Sequence, residues 1–316
     1  MQESFDKAKI LIDSSDRILL TMHERMDGDD GGSVLALAGH LQNAGKKITC
    51  AIKHGVPKTL EFLPGSNKIQ DDIGDENFDL VITCGCSRKN RCGSEKIMNL
   101  DAPIINIDHH PDNENFGLIN IVDHKKSSVA ELIYDFFLHH KWPINKDIAT
   151  CLLTGIITDT GSFMHSNTQN STLRVAGALM KKGASISEII DHTYKNKTTA
   201  TLKAWGKALS NLRYDPKTKI IYSIIAQEDL KEFGQLPQSA FEGLAETLNT
   251  FPEAKFAMFL KQEGTIIKGS LRTDPNKNTD VAQIARALGG GGHKMAAGFS
   301  VAGKLVRNEQ GEWRVI

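Results

Sequence analysis

The sequence predicts an α/β protein: a mainly parallel sheet with helices on both faces, followed by a smaller α/β C-terminal part. Three observations point there. Short apolar runs alternate with amphipathic stretches through the first half of the chain, as a covered parallel sheet requires. A polar helical segment follows, after which the strand–helix pattern restarts. The length of 316 residues exceeds what one ordinary core fills, so two domains are expected.

In order, residues 17–22 (RILLTM), 47–52, 79–84 (DLVITC) and 103–107 (PIINI) read as strands. Residues 32–45, 127–139, 148–157 and 171–182 carry helical spacing. The stretch 188–212 is helical and polar, a connecting segment. Beyond it, 219–226, 254–261 and 265–271 read as strands, and 241–248 and 281–288 as helices. The expected division is a first domain over 1–190, a helical linker over 191–212 and a second domain over 213–316.

Lys plus Arg and Asp plus Glu number 38 each, a balance that argues against a general binder of long duplex DNA. The longest apolar runs are too short to cross a bilayer, so no membrane partner is expected. Residues 1–6 (MQESFD) lack the basic flank and apolar stretch of a secretory leader. An odd count of five cysteines argues against a disulfide framework, and a cytoplasmic location is expected. Cys84, Cys86 and Cys92 match no common zinc spacing and read as buried or loop thiols.

Four clusters carry the chemistry. His23, Asp27, Asp29 and Asp30 follow the strand RILLTM; Asp108, His109 and His110 follow PIINI. Asp159 stands in TDTG after an apolar run, and His293 closes GGGGH. Each alone has a plain reading as a turn, a helix cap or a flexible loop. All four, however, fall at element ends. In a parallel sheet the carboxyl ends of the strands gather such residues into one crevice. Carboxylates brought together repel and desolvate one another, and a divalent cation relieves both penalties. A mixed Asp/His set suits manganese, iron, magnesium or zinc, and two ions about 3.5–4 Å apart could activate water and hold a phosphoryl oxygen.

The set HxxxDGD, Asp108-His109-His110 within NIDHHPDNENFG, GIITDTGSFMHSNT and GGGGHKMAAGF resembles the DHH phosphoesterase superfamily with its DHH-associated C-terminal domain. Length and layout are most similar to its nanoRNase and pAp-phosphatase branch. The resemblance implies hydrolysis of short RNA or of 3′-phosphoadenosine 5′-phosphate. It also implies divalent ions, manganese above all, at two sites. His23 and Asp27 would bind the first ion; Asp29, His109 and Asp159 would bind the second. His110 would contact the scissile phosphate or act as an acid, and Asp108 would orient the histidine pair. Ser128, Arg272, Gly290, Gly291, Gly292 and His293 would hold substrate, the glycines letting backbone N–H groups approach phosphate. The only protein partner allowed for is a second copy of the chain.

One position departs from the family pattern. The acid expected after DLVITC falls on Gly85, which offers no side-chain ligand. Its loss would weaken metal binding, reducing the two sites toward one, and lower activity. Asp30 is a second departure, since a small apolar residue is usual there. Asp30 would either supply the lost charge or simply cap the following helix, the default reading. Cys84 and Cys86, flanking Gly85, are the other candidate replacements. A rival function follows from the same gap: a degenerate member that binds nucleotides without cleaving them. A third, a RecJ-like exonuclease on single strands, would want a basic channel that a neutral chain does little to provide.

Overall fold

The computed structural model describes residues 1–316 except 25, 75, 94, 95, 97, 98, 238, 239 and 309–312. The chain divides into two units, Met1–Asn196 and Lys197–Ile316.

In the first unit the run RILLTM forms β1 (Arg17–Met22), in which Arg17 is exposed and the rest buried. β4 (Leu80–Cys84) is buried throughout. Continuous burial means that both faces of these strands are covered, as in parallel sheets. Alternate side chains supply two clusters: Ile18, Leu20 and Ile82 join the larger core, while Leu19 and Val81 join a smaller one with Ile73 and Phe78. The neighbouring strands are β2 (Lys47–Ala51), β3 (Ile69–Gln70), β5 (Ile104–Asp108) and β6 (Ile119–Val122). The sheet order is β3-β2-β1-β4-β5-β6, and every pairing is parallel. The order reverses between β1 and β4, the place where such a sheet opens a crevice beyond its carboxyl ends.

The larger core is closed by α1 (Gln2–Ser14), α2 (Gly28–Asn43), α3 (Val129–His139), α4 (Lys146–Asp159), α5 (Asn170–Lys181) and α6 (Ile186–Thr193). α2 and α4 pack with almost no space between them. A methyl group on Gly32 would lie 2.3 Å from the Cys151 carbonyl oxygen, and one on Gly155 would lie 2.8 Å from Asp29 Oδ1. Only glycine permits that approach.

The second unit holds a six-stranded mixed sheet, ordered β11 (Gly291–His293), β12 (Ala296–Ala302), β10 (Ile266–Arg272), β9 (Phe256–Glu263), β8 (Ile220–Ile225), β7 (Arg213–Asp215). Only β8 and β9 run parallel. α7 (Thr199–Ser210), α8 (Gln227–Leu230), α9 (Leu244–Asn249) and α10 (Val281–Ala287) accompany it, and β13 (Leu305–Arg307) pairs with β14 (Trp313–Val315). α7 and α9 bury Ala204, Ala208, Leu244 and Leu248 with Ile221 and Phe259 of the sheet. α10 packs Val281 and Ala285 with Leu271 and Ala297.

Candidate metal centre

The site begins where β1 ends. Asp27 is the N-cap of α2, its Oδ1 accepting from the Asp30 amide at 2.8 Å. This turns Asp29 and Asp30 inward, where they are 3% and 4% exposed. Asp29 is then fixed from across the unit: Oδ2 accepts from Val129 N at 2.7 Å and Oδ1 from Ala130 N at 2.9 Å. These are the first amides of α3, whose helix dipole favours an anion there. Ser128 is the N-cap of the same helix. Its hydroxyl accepts from Glu131 N and the residue is wholly buried, which gives Ser128, expected at the substrate, a capping part.

β5 delivers the imidazoles. The Asp108 carboxylate is buried and accepts from His109 N, His110 N, His110 Nδ1 at 2.7 Å and Asn113 Nδ2. Burial works against its charge, but these bonds win and hold Asp108 below the usual carboxylate range. Burial likewise opposes a charged His110, yet the bond and charge of Asp108 raise it to about 9. His110 therefore carries a proton at neutral pH. His109 Nδ1 donates to the Lys126 carbonyl at 3.3 Å, which fixes the tautomer and leaves Nε2 directed at Asp159 Oδ2, 3.8 Å away. Asp159 ends α4 and accepts from Asn167 Nδ2 at 3.1 Å.

Asp29, His109 and Asp159 each offer a ligand atom within 4.8 Å of the others. Burial first, then neighbouring charge, pushes Asp29 and Asp159 up to about 7. Asp159 acts on Asp29, and Asp27 acts on both. Two acids and one imidazole, unfavourable together, suit a divalent cation. His23 and Asp27, expected around a first ion, do not join this group. The Arg91 guanidinium contacts His23 Nε2, and Asp27 spends an oxygen on its cap.

Gly85 follows β4 with φ +66°, and its N donates to the Ile107 carbonyl. A Cβ on it would lie 1.6 Å from Asp30 Oδ1. The flanking thiols do not fill this place. Cys84 packs into the core, and burial first, then the nearby acids, pushes Cys84 well up and keeps it a thiol. Burial and Cys92 do the same to Cys86.

Several site residues are marked in sequence only as members of a motif, Asn106 and Asn113 within NIDHHPDNENFG. Asn106 Nδ2 bonds Thr83 Oγ1 and the Cys86 carbonyl, while Asn113 Nδ2 reaches Asn106 Oδ1, the Cys86 carbonyl and Asp108. The pair ties the end of β4 to the histidine cluster. Asn167 lies within HSNT and is marked in sequence only as part of that motif.

In the second unit Arg272 closes β10 and is ion-paired through Nε to Glu246. His293 closes β11. Gly290, Gly291 and Gly292 lead into and form β11. Gly291 and Gly292 pair with Gly298 and Ala297 of β12, and Gly292 has φ +132°. A Cβ on Gly290 would lie 2.1 Å from the Gly298 carbonyl oxygen. Close strand packing requires glycine at 290 and 292, whereas a Cβ on Gly291 would meet nothing.

A parallel sheet with a buried acid–imidazole cluster beyond its switch point, joined to a mixed-sheet unit, defines the class: the chain belongs to the DHH family. Residues 17–156 match the DHH family, N-terminal domain, and residues 217–310 match the DHHA1 domain. The chain is 30% identical over 293 residues to the bifunctional oligoribonuclease and PAP phosphatase NrnA of Bacillus subtilis (strain 168), covering 90% of each. The crystal structure of an exopolyphosphatase-related protein from Bacteroides fragilis superposes with a TM-score of 0.88 at 24% identity, over 95% of this chain and 91% of that one. RecJ from Thermus thermophilus, solved in complex with Mn2+, superposes at 0.56 and 15% identity, over 95% of this chain and 52% of that one. The two structures speak to the fold.

Proposed function

We propose that this chain is a divalent-cation-dependent phosphoesterase acting on short oligoribonucleotides and on 3′-phosphoadenosine 5′-phosphate. The observation that carries the reading is the grouping of Asp29, His109 and Asp159 within 4.8 Å, with the tautomer of His109 fixed by the Lys126 carbonyl. The name of the Bacillus subtilis relative supports the substrate class, and manganese, present in the RecJ crystal, is the proposed ion. When bound, the ion would neutralise the acids and polarise a phosphoryl oxygen. His110 Nε2 would hold a proton for the leaving oxygen while Asp108 keeps Nδ1 occupied. The charge of His110 would also favour the phosphoryl anion. In the second unit, His293 and Arg272 are the proposed substrate contacts. A cytoplasmic location belongs to the same reading, in keeping with five unpaired cysteines.

The test is a manganese-supplemented assay on a labelled RNA dinucleotide and on 3′-phosphoadenosine 5′-phosphate. Wild type releases mononucleotide or phosphate, and Asp159→Asn lowers the rate by about 100-fold or more. A second reading, nucleotide binding without cleavage, is favoured by one observation, the absence of a side chain at Gly85. It requires tight binding of the dinucleotide with no turnover at micromolar enzyme.

A further inference from the structure

Three strand ends point at the crevice. β1 runs into His23 and Asp27 and β5 ends in Asp108, but β4, central between them, runs into Gly85. The space a side chain would fill there is not vacant. An ideal Cβ on Gly85 would lie 1.6 Å from Asp30 Oδ1, 2.4 Å from its Cγ and 2.7 Å from Oδ2. The carboxylate of Asp30 thus occupies the side-chain position of residue 85.

A capping role does not account for it. The cap of α2 is Asp27, and Asp30 contributes only the backbone amide that Asp27 accepts. The Asp30 carboxylate itself accepts no hydrogen bond among the described residues, though the residue is only 4% exposed. Around it stand Asp27, Asp29, Asp108 and Asp159, all close enough for their charges to act on it. A buried carboxylate with no donor and four like charges nearby either takes up a proton or is stabilised by a cation. The thiols of Cys84 and Cys86 offer no substitute: Cys84 packs into the core, and Cys86 Sγ donates to the Cys84 carbonyl.

We infer that Asp30 and Gly85 together make one carboxylate position of the cation site, the acid arriving from helix α2 and the glycine providing its room. This rests on the cation-dependent reading above and adds a ligand to it. It also explains the glycine: with Asp30 in place, any side chain at 85 would overlap its carboxylate.

The experiment measures Mn2+ binding without substrate, by calorimetry and by the electron paramagnetic resonance of the ion. It compares wild type, Asp30→Asn, Asp159→Asn and the exchange variant Asp30→Ala/Gly85→Asp. Asp30→Asn, equal in size, is expected to weaken Mn2+ binding by about 10-fold or more. The exchange variant is expected to recover most of that loss, since the acid returns to the same place from the strand side. Circular dichroism checks each fold. If Asp30→Asn does not fold, the exchange variant decides: wild-type-like binding supports the inference and its absence in a folded protein overturns it. Unchanged affinity in Asp30→Asn, with binding lost in Asp159→Asn, overturns the inference and leaves the cation site standing. Unchanged affinity in both overturns the inference and the site together.

Discussion

Asp108 shows how one buried side chain sets the chemistry of another. It gathers two backbone amides, an asparagine and the Nδ1 of His110, and so keeps its own charge while raising His110 to about 9. Asp108→Asn removes both the bond and the charge. His110 then falls toward its ordinary value, because burial disfavours the cation and only the charges of Asp159 and Asp112 remain to favour it. The alkaline limb of the kcat/KM profile is expected to move down by more than about one pH unit, which a pH–rate series would measure. Asp29 and Asp159 act in the opposite sense on stability. Their native values are raised, so the folded protein binds more protons than the unfolded chain between the ordinary carboxylate range and about 7. Metal-free protein should lose stability as pH rises through that window, and saturating Mn2+ should flatten the fall. Thermal melts from pH 4 to 8, with and without the ion, test it. Ser128→Ala should cost about 1 kcal/mol by urea denaturation, the loss of an N-cap, and leave KM unchanged.

The pair α2 and α4 does for the elements what Asp108 does for residues. Asp29 rides on the first turn of α2 and Asp159 on the last turn of α4, and the two meet because Gly32 and Gly155 let the helices touch. Gly32→Ala would press a methyl group onto the Cys151 carbonyl and spread the helices. A stability loss of about 1–3 kcal/mol is expected, together with weaker Mn2+ binding, although residue 32 touches no proposed ligand. Much of this architecture was legible. β1, β4 and β5 are unbroken apolar runs, and Asp108-His109-His110 sits directly behind one. α1 escaped notice because its buried stripe is only Phe5, Ala8 and Ile12 in a polar segment. β3 and β6 are too short to show a period. Asn106 acts through Thr83, distant in sequence, while Asn113 and Asn167 reach Asp108 and Asp159 across irregular loops that carry no periodic pattern. The capping reading of Asp30 gave way for a similar reason. Overlap with residue 85 exists only in three dimensions, whereas Asp27, one turn earlier, was equally able to cap.

On the scale of the molecule, each unit owns its core: Met1–Asn196 closes around the parallel sheet and Lys197–Ile316 around the mixed one. The proposed ligands of the cation all lie in the first. Mn2+ at about 100 times its dissociation constant should therefore stabilise that unit by about 2.7 kcal/mol and leave the other untouched. Calorimetric scans would show one component of the unfolding profile moving and one stationary; a uniform shift would mean that the units melt as one. The outer strands bear on how copies of the chain can meet. β3 and β6 bound the first sheet with two and four residues, and β11 and β7 bound the second with three each. Edges this short disfavour pairing with a neighbour's backbone, so both six-stranded sheets are poor seeds for runaway polymerisation.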